Sequence, residues 1–191
     1  MGWQDINLKG TPLPSEESQQ QSKNPMAVAL GSVLTNGDSI LITQKPTLRI
    51  ANEKDANDCI ELSQNSWPDW RAKNKQLGIN HIRDCIWGGR CLVVSENNEV
   101  IAFLVWGQLR NKIHIQDIFV KERYRKEWIA TILMQEAIRI AKDQWFKEVM
   151  SDCDVSNKLA IIFHLKFGFK KCGHIKNNWD DEDSHVFSLK I

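Results

Sequence analysis

Three basic side chains, Arg123, Arg125 and Lys126, crowd the start of a stretch that reads as the first turn of a helix, "RYRKEWIATILM" at residues 123–134. Cations there oppose the positive end of the helix dipole and are disfavoured unless an anion is bound. A strand pattern runs up to Val120, and Ile129, Ile132, Leu133, Ala137, Ile140 and Ala141 then fall in helical phase over residues 127–142. A strand that turns into a helix presents the first, unbonded N–H groups of that helix beyond the strand end. Those groups hold a pyrophosphate without side-chain help. A solvated turn carrying surface bases is the plainer alternative.

A second group of candidates lies further on. Asp152 ends the short strand "KEVMSD", where a carboxylate is available as a proton acceptor. Ser151, Asp152 and Asp154 also precede a helix that starts near Ser156, so capping that helix is the other role open to Asp152. Asn157 caps or flanks the same helix on its own merits. His164 interrupts its apolar body, either as a proton donor near neutral pH or as a partly buried polar residue. Cys153 beside Asp152 invites a nucleophile reading, but no base for it is identifiable.

The elements that must position these residues are legible from Pro46 onward. "TLRIA" reads as a strand, and residues 53–67 as a helix that stops before Pro68. A second helix over 70–87 has Leu77, Ile79, Ile82, Cys85 and Ile86 as its expected inner face, and Gly88-Gly89 ends it. "RCLVVSE" and "EVIAFLVWGQLR" form a hairpin about Asn97-Asn98, and "KIHIQDIFV" is a central strand. A helix, a strand, a helix closed by Gly168 and two strands near 169–175 and 184–190 complete the order. The fold class is α+β, a mixed sheet with helices laid on it rather than a regular βαβ repeat.

The pattern "IFVKERYRKEWIATILMQEAIRIAK" followed by "SNKLAIIFHLKFGF" resembles the GNAT N-acetyltransferase superfamily. Its acetyl-CoA motif runs strand, Gln or Arg, two residues, Gly, one residue, Gly or Ala, then helix. Arg125, Trp128 and Ala130 fall on the three defined positions, while Asn157, Gly168 and Phe169 meet the second motif. Within the superfamily the chain looks similar to the aminoglycoside 6'-N-acetyltransferases. The shared residues are Trp67-Pro68, Ile118 to Val120, Tyr124-Arg125, Ile129 to Thr131, Ser151-Asp152 and His164.

The resemblance implies a single, mostly antiparallel GNAT-like domain over residues 46–191 that transfers acetyl from acetyl-CoA to a primary amine by direct attack. The cofactor would lie on Ile118, Phe119, Val120, Arg125, Lys126, Trp128, Ile129, Ala130, Thr131 and Asn157. Asp152 would act as base or amine-orienting group, and His164 as the acid for the leaving thiolate. The oxyanion would rest on backbone N–H groups at the end of the 112–120 strand, about 3 kcal/mol for one well-placed donor. Trp67, Asp69, Trp70 and Asp117 would face the acceptor, an aminoglycoside in the first reading. A polyamine, metabolite or protein amine is the second. Trp128 stands where the motif has glycine, which raises a third reading, a non-catalytic module of the same fold.

Composition narrows the setting. The 191 residues are 42% hydrophobic with a formal net charge of +1, so no global field recruits nucleic acid or an anionic membrane. No apolar run reaches the ~18 residues needed to span a bilayer. The five cysteines are odd in number without CxxC spacing, so we expect buried thiols, no disulfide framework and no metal. No secretory signal is evident, and a cytoplasmic location follows as the expectation. Residues 1–45 read as a flexible arm, with Asn36-Gly37 marking a hairpin over 33–42. A homodimer is left open.

Overall fold

The computed structural model describes residues 45–66, 75–125, 128–179 and 182–191. The arm with its expected hairpin, and Trp67, Asp69, Trp70 and Lys126, lie outside the described residues. The strands are β1 (Thr47–Ile50), β2 (Cys91–Glu96), β3 (Glu99–Leu109), β4 (Lys112–Val120), β5 (Glu148–Asp154), β6 (Lys170–Trp179) and β7 (Glu182–Lys190). They join in one seven-stranded sheet ordered β1-β2-β3-β4-β5-β7-β6. Every neighbouring pair is antiparallel except β4 with β5. The helices are α1 (Ala56–Ser66), α2 (Lys75–Trp87), α3 (Ile129–Asp143) and α4 (Lys158–Lys166). This is the mixed, mostly antiparallel α+β domain that the sequence implies.

Local chemistry sets several junctions. Asn97 and Asn98 join β2 to β3 with φ of 51° and 65°, the left-handed angles a two-residue hairpin requires and asparagine tolerates. Gly168, at φ 85°, ends α4 and turns Phe169 back so that its N–H reaches the His164 carbonyl at 3.1 Å. Alternation along the strands divides the core between two faces. On one, Leu92, Leu104, Ile113, Ile115 and Phe187 pack with Leu133, Met134 and Ala137 of α3. On the other, Val93, Phe103, Val105 and Phe119 pack with Cys59 and Leu62 of α1 and Ile82, Cys85 and Ile86 of α2. Each Val, Leu, Ile, Phe or Met side chain among them contributes roughly 1.5–3 kcal/mol when fully buried.

Leu77 is a correction: it is 65% exposed rather than part of the α2 inner face. Five residues before Ile82 is about 140° around the helix, whereas Ile82, Cys85 and Ile86 keep the i, i+3, i+4 phase. The cysteines also differ from expectation in part. Cys59, Cys85 and Cys91 are buried free thiols, but Cys172 is exposed on the edge strand β6.

Two irregularities of β4 open the sheet. The β3–β4 register slips by one between Val105↔Asp117 and Trp106↔Ile115, leaving Gln116 as the extra residue of a β-bulge. The bulge resets side-chain alternation, so Ile113 and Ile115 share a face with Ile118 and Val120. In addition, the parallel β4–β5 pairing runs only from Lys112↔Glu148 to Ile115↔Ser151. Beyond it β4 stays on β3 as far as Val120, while β5 stays on β7 as far as Asp154. The strands splay and leave a gap.

Candidate active site

The gap is the floor of an open cleft of about 920 Å³. The cleft gathers Asp117, Ile118, Phe119 and Val120 from β4, Arg125, Ala130 and Thr131 from the turn and α3, Asp152 from β5, and Asn157 and His164 from α4. Lys121 N–H donates to the Ile101 carbonyl on β3, at 2.9 Å. By alternation Ile118 and Val120 turn their N–H groups the other way, into the gap, where β5 has diverged.

At one side of the gap stands the start of α3. The first intrahelical bond runs from Ile132 N to the Trp128 carbonyl, at 3.0 Å. The N–H groups of Ile129, Ala130 and Thr131 therefore have no acceptor within the helix. Trp128 precedes them with no side-chain cap. Its φ of −72° is ordinary right-handed backbone, and the indole is 51% exposed. No glycine-like angle is needed at this position. Ile129 is 1% exposed and packs into the core, so it offers the cleft its backbone alone. The exposed Arg125 donates from Nε to the Val120 carbonyl at 3.1 Å, which ties the turn to the end of β4.

Asp152 does not cap α4. Asn157 does, its side-chain oxygen accepting from Ala160 N–H at 3.0 Å, while Asp154 accepts from Ser156 N–H at 2.5 Å. Asp152 projects from the face of β5 opposite to that of Ser151, which meets His164 of α4. One carboxylate oxygen lies 2.7 Å from His114 Nε2 on β4, and the other accepts from Asn178 Nδ2 on β6 at 3.0 Å. Cys153, next in the chain, has its thiol pKa pushed up to about 11 by burial and by the neighbouring Asp152 and Asp154 charges, so it is not a thiolate nucleophile.

His164 is 4% exposed and stacks on Phe187, with ring centroids 4.9 Å apart and planes at 10°. Nδ1 donates to the Ala160 carbonyl at 2.7 Å, and Nε2 meets the Ser151 hydroxyl at 2.9 Å. Burial lowers the pKa of this ring below its ordinary 6.5. The native state therefore resists a proton that the unfolded chain takes up as pH falls past 6.5. The stability tied to the neutral ring is full above that pH and is lost as pH falls through the lower, native pKa. Urea midpoints should fall between pH 7.5 and 5, and His164→Gln should fall less. Equal slopes in the two proteins would show that another group sets the acid sensitivity.

His114, Gln116 and Asn178 were not singled out from the sequence. The two adjacent polar residues Gln116-Asp117, which interrupt the alternation of "KIHIQDIFV", were the available signal for the bulge. Asn178 had none, because its approach to Asp152 depends on the order of β5, β7 and β6.

Comparison with known proteins decides the family. Residues 56–169 match the model of the acetyltransferase (GNAT) family. The chain belongs to the GNAT family. This GNAT chain is 26% identical over 159 residues to an N-alpha-acetyltransferase of Saccharolobus solfataricus, covering 76% of the chain and 93% of that relative. Its fold is similar to an N-acetyltransferase from Staphylococcus aureus Mu50, with a TM-score of 0.65 and 23% identity over 77% of this chain and 99% of that one. It is also similar to the PaiA N-acetyltransferase of Thermoplasma acidophilum, solved in complex with coenzyme A (TM-score 0.59, 18% identity, 78% and 100% covered). The protein is an acetyl-CoA-dependent N-acetyltransferase of the GNAT fold. Among its described residues, no group of three or more His, Cys, Asp or Glu side chains could hold a metal ion. No described helix is long and apolar enough to cross a membrane.

Proposed function

We propose that this GNAT enzyme acetylates the α-amine of a peptide or protein, acting in the cytoplasm. The observation that carries the reading is the similarity to an N-alpha-acetyltransferase over 93% of that relative's length. None of the three relatives described above is named for an aminoglycoside. The aminoglycoside amine suggested by the sequence motifs is the second reading, favoured by the carboxylates Asp117, Asp152 and Asp154 lining the cleft. An acetyl-CoA consumption screen should compare peptides of varied first residue with kanamycin-type and gentamicin-type drugs. Acetylation of a peptide N-terminus, located by mass spectrometry, is expected. Turnover of the drugs alone would replace the first reading with the second.

The residues divide the work by face. When bound, acetyl-CoA supplies the electrophilic acetyl carbon and the thiolate leaving group. The free N–H groups of Ile129, Ala130 and Thr131 and the guanidinium of Arg125 form an anion cradle that suits its pyrophosphate. Asn157 has its oxygen committed to the cap, which leaves its amide nitrogen to donate to the pantetheine arm. The N–H groups of Ile118 and Val120 face the gap and suit a developing oxyanion, each worth about 3 kcal/mol. Asp117 and Asp152 lie on the other face, where a cationic amine would approach. Both nitrogens of His164 are engaged, which favours a role in holding α4 against β5 over delivering a proton to the thiolate.

Trp128 is half exposed and is not among the residues lining the cleft, so Trp128→Gly should change the acetyl-CoA Kd by less than about tenfold, or ~1.4 kcal/mol. Titration calorimetry showing a hundredfold gain would mean that the indole obstructs the cradle.

A further inference from the structure

We propose that Glu96 and Glu99, at the tip of the β2–β3 hairpin, are positioning residues for the cofactor: they clamp the turn that leads into the anion cradle. This rests on the acetyl-CoA reading above. It goes beyond that reading by placing part of the cofactor affinity on a hairpin tip, residues 96–101, that does not line the cleft.

Glu96 and Glu99 face one another in register, the last pair before Asn97-Asn98 closes the hairpin. Like charges directly opposite on a sheet are unfavourable, so the hairpin by itself gains nothing from this pair. Groups from the turn after β4 offset it. Lys121 Nζ donates to one oxygen of Glu99, and Arg123 Nη2 donates to the other at 3.1 Å. Tyr124 Oη donates to Glu96, and the Arg123 guanidinium lies 4.7 Å from the centroid of the Tyr124 ring. The bond to Glu96 raises the phenol pKa above its ordinary value, which keeps the donor proton in place at neutral pH.

The backbone makes the same junction. The β2–β3 register slips by one between Val94↔Ala102 and Ser95↔Val100, leaving Ile101 as the extra residue of a bulge. The Ile101 carbonyl accepts from Lys121 N–H at 2.9 Å. The turn then closes on itself, Tyr124 N–H donating to the Lys121 carbonyl at 2.9 Å and Arg125 N–H to the Glu122 carbonyl at 3.1 Å. Fixing residues 121–124 therefore fixes Arg125.

Stability does not account for the arrangement. The Arg123 and Glu99 side chains are 65% and 51% exposed, and exposed ion pairs contribute little to folding. The contacts act on freedom instead: a turn already ordered when acetyl-CoA arrives loses less entropy on binding. They also reassign the bases at the helix start. Lys121 and Arg123 are committed to Glu99, and of the described cations in this turn only Arg125 lines the cleft.

The test uses the full chain, acetyl-CoA in titration calorimetry, and the best amine from the screen. Glu96→Ala and Tyr124→Phe should each raise the acetyl-CoA Kd about five- to tenfold. The double variant should go no further than either, since all three lack the same bond. Glu96→Gln keeps an acceptor for the hydroxyl and should return the Kd to within about twofold of wild type. In every variant, kcat at saturating acetyl-CoA and KM for the amine should stay within about twofold. A merely structural pair would lower the urea midpoint and leave the Kd of the folded enzyme unchanged, which overturns the proposal. Tighter binding in both Glu96→Ala and Glu96→Gln also overturns it, because the carboxylate would then act only by repelling the phosphates. If Glu96→Ala does not fold, Glu99→Ala, which frees Lys121 and Arg123 from the same hairpin, takes its place with the same expected loss. Wild-type enzyme that binds no acetyl-CoA would overturn the cofactor reading, and this proposal with it. Wild-type binding with unchanged hairpin variants overturns the proposal alone.

Discussion

Phe187→Ala is expected to destabilise the protein by about 3–5 kcal/mol, the range for removing a large aromatic from a packed core. Phe187 is 1% exposed on β7, paired in register with Ser151 of β5. One side of its ring carries the stacked imidazole of His164, and Phe169 meets that imidazole edge-on at 5.4 Å. The lost area and the void add, because a sheet held by β5 on one side and β6 on the other cannot close over the missing ring. The Ser151–His164 link rests on the same stack, so α4 should loosen with it. Urea unfolding should show a lowered midpoint at constant m, and a loss below about 1 kcal/mol would mean that the site repacks. A loss of this size is a large share of the ~5–15 kcal/mol that holds an ordinary domain folded.

Arg125→Glu is expected to weaken acetyl-CoA binding by about ten- to a hundredfold without unfolding the chain. Arg125 is exposed, and its bond to the Val120 carbonyl uses Nε alone, so little native packing depends on it. A charge-assisted contact to phosphate is worth about 1.5–3 kcal/mol, and a carboxylate there adds repulsion. Because the site is open to solvent, the effect should shrink as salt rises. Calorimetry at two ionic strengths checks both points. An unchanged Kd would mean that the backbone N–H groups of α3 hold the pyrophosphate alone. Free coenzyme A should show the same loss, since the contact does not involve the acetyl group.

The sequence by itself determined the elements and the position of the anion cradle, because both depend on short-range rules. Helical phase located α3, the paired asparagines at 97 and 98 located the hairpin, and Gly168 located the end of α4. The strand-turn-helix spacing around Arg125 led to the GNAT family for the same reason, since a loop that offers N–H groups to a phosphate is built from neighbours in the chain. The tertiary structure decided what those elements do to one another. The bulge at Gln116 and the short β4–β5 pairing open the gap, and both depend on register between strands. Asp152 is open locally to two roles, proton acceptor or helix cap, and it faces His114, 38 positions away, and Asn178, 26 positions away. Strand order alone brings those three together. His164 reads locally as either a proton donor or a partly buried polar residue, and packing decides between them by enclosing it against Phe187 and engaging both nitrogens. Local sequence states which groups are available; burial and partners settle their protonation, and those are properties of the assembled sheet.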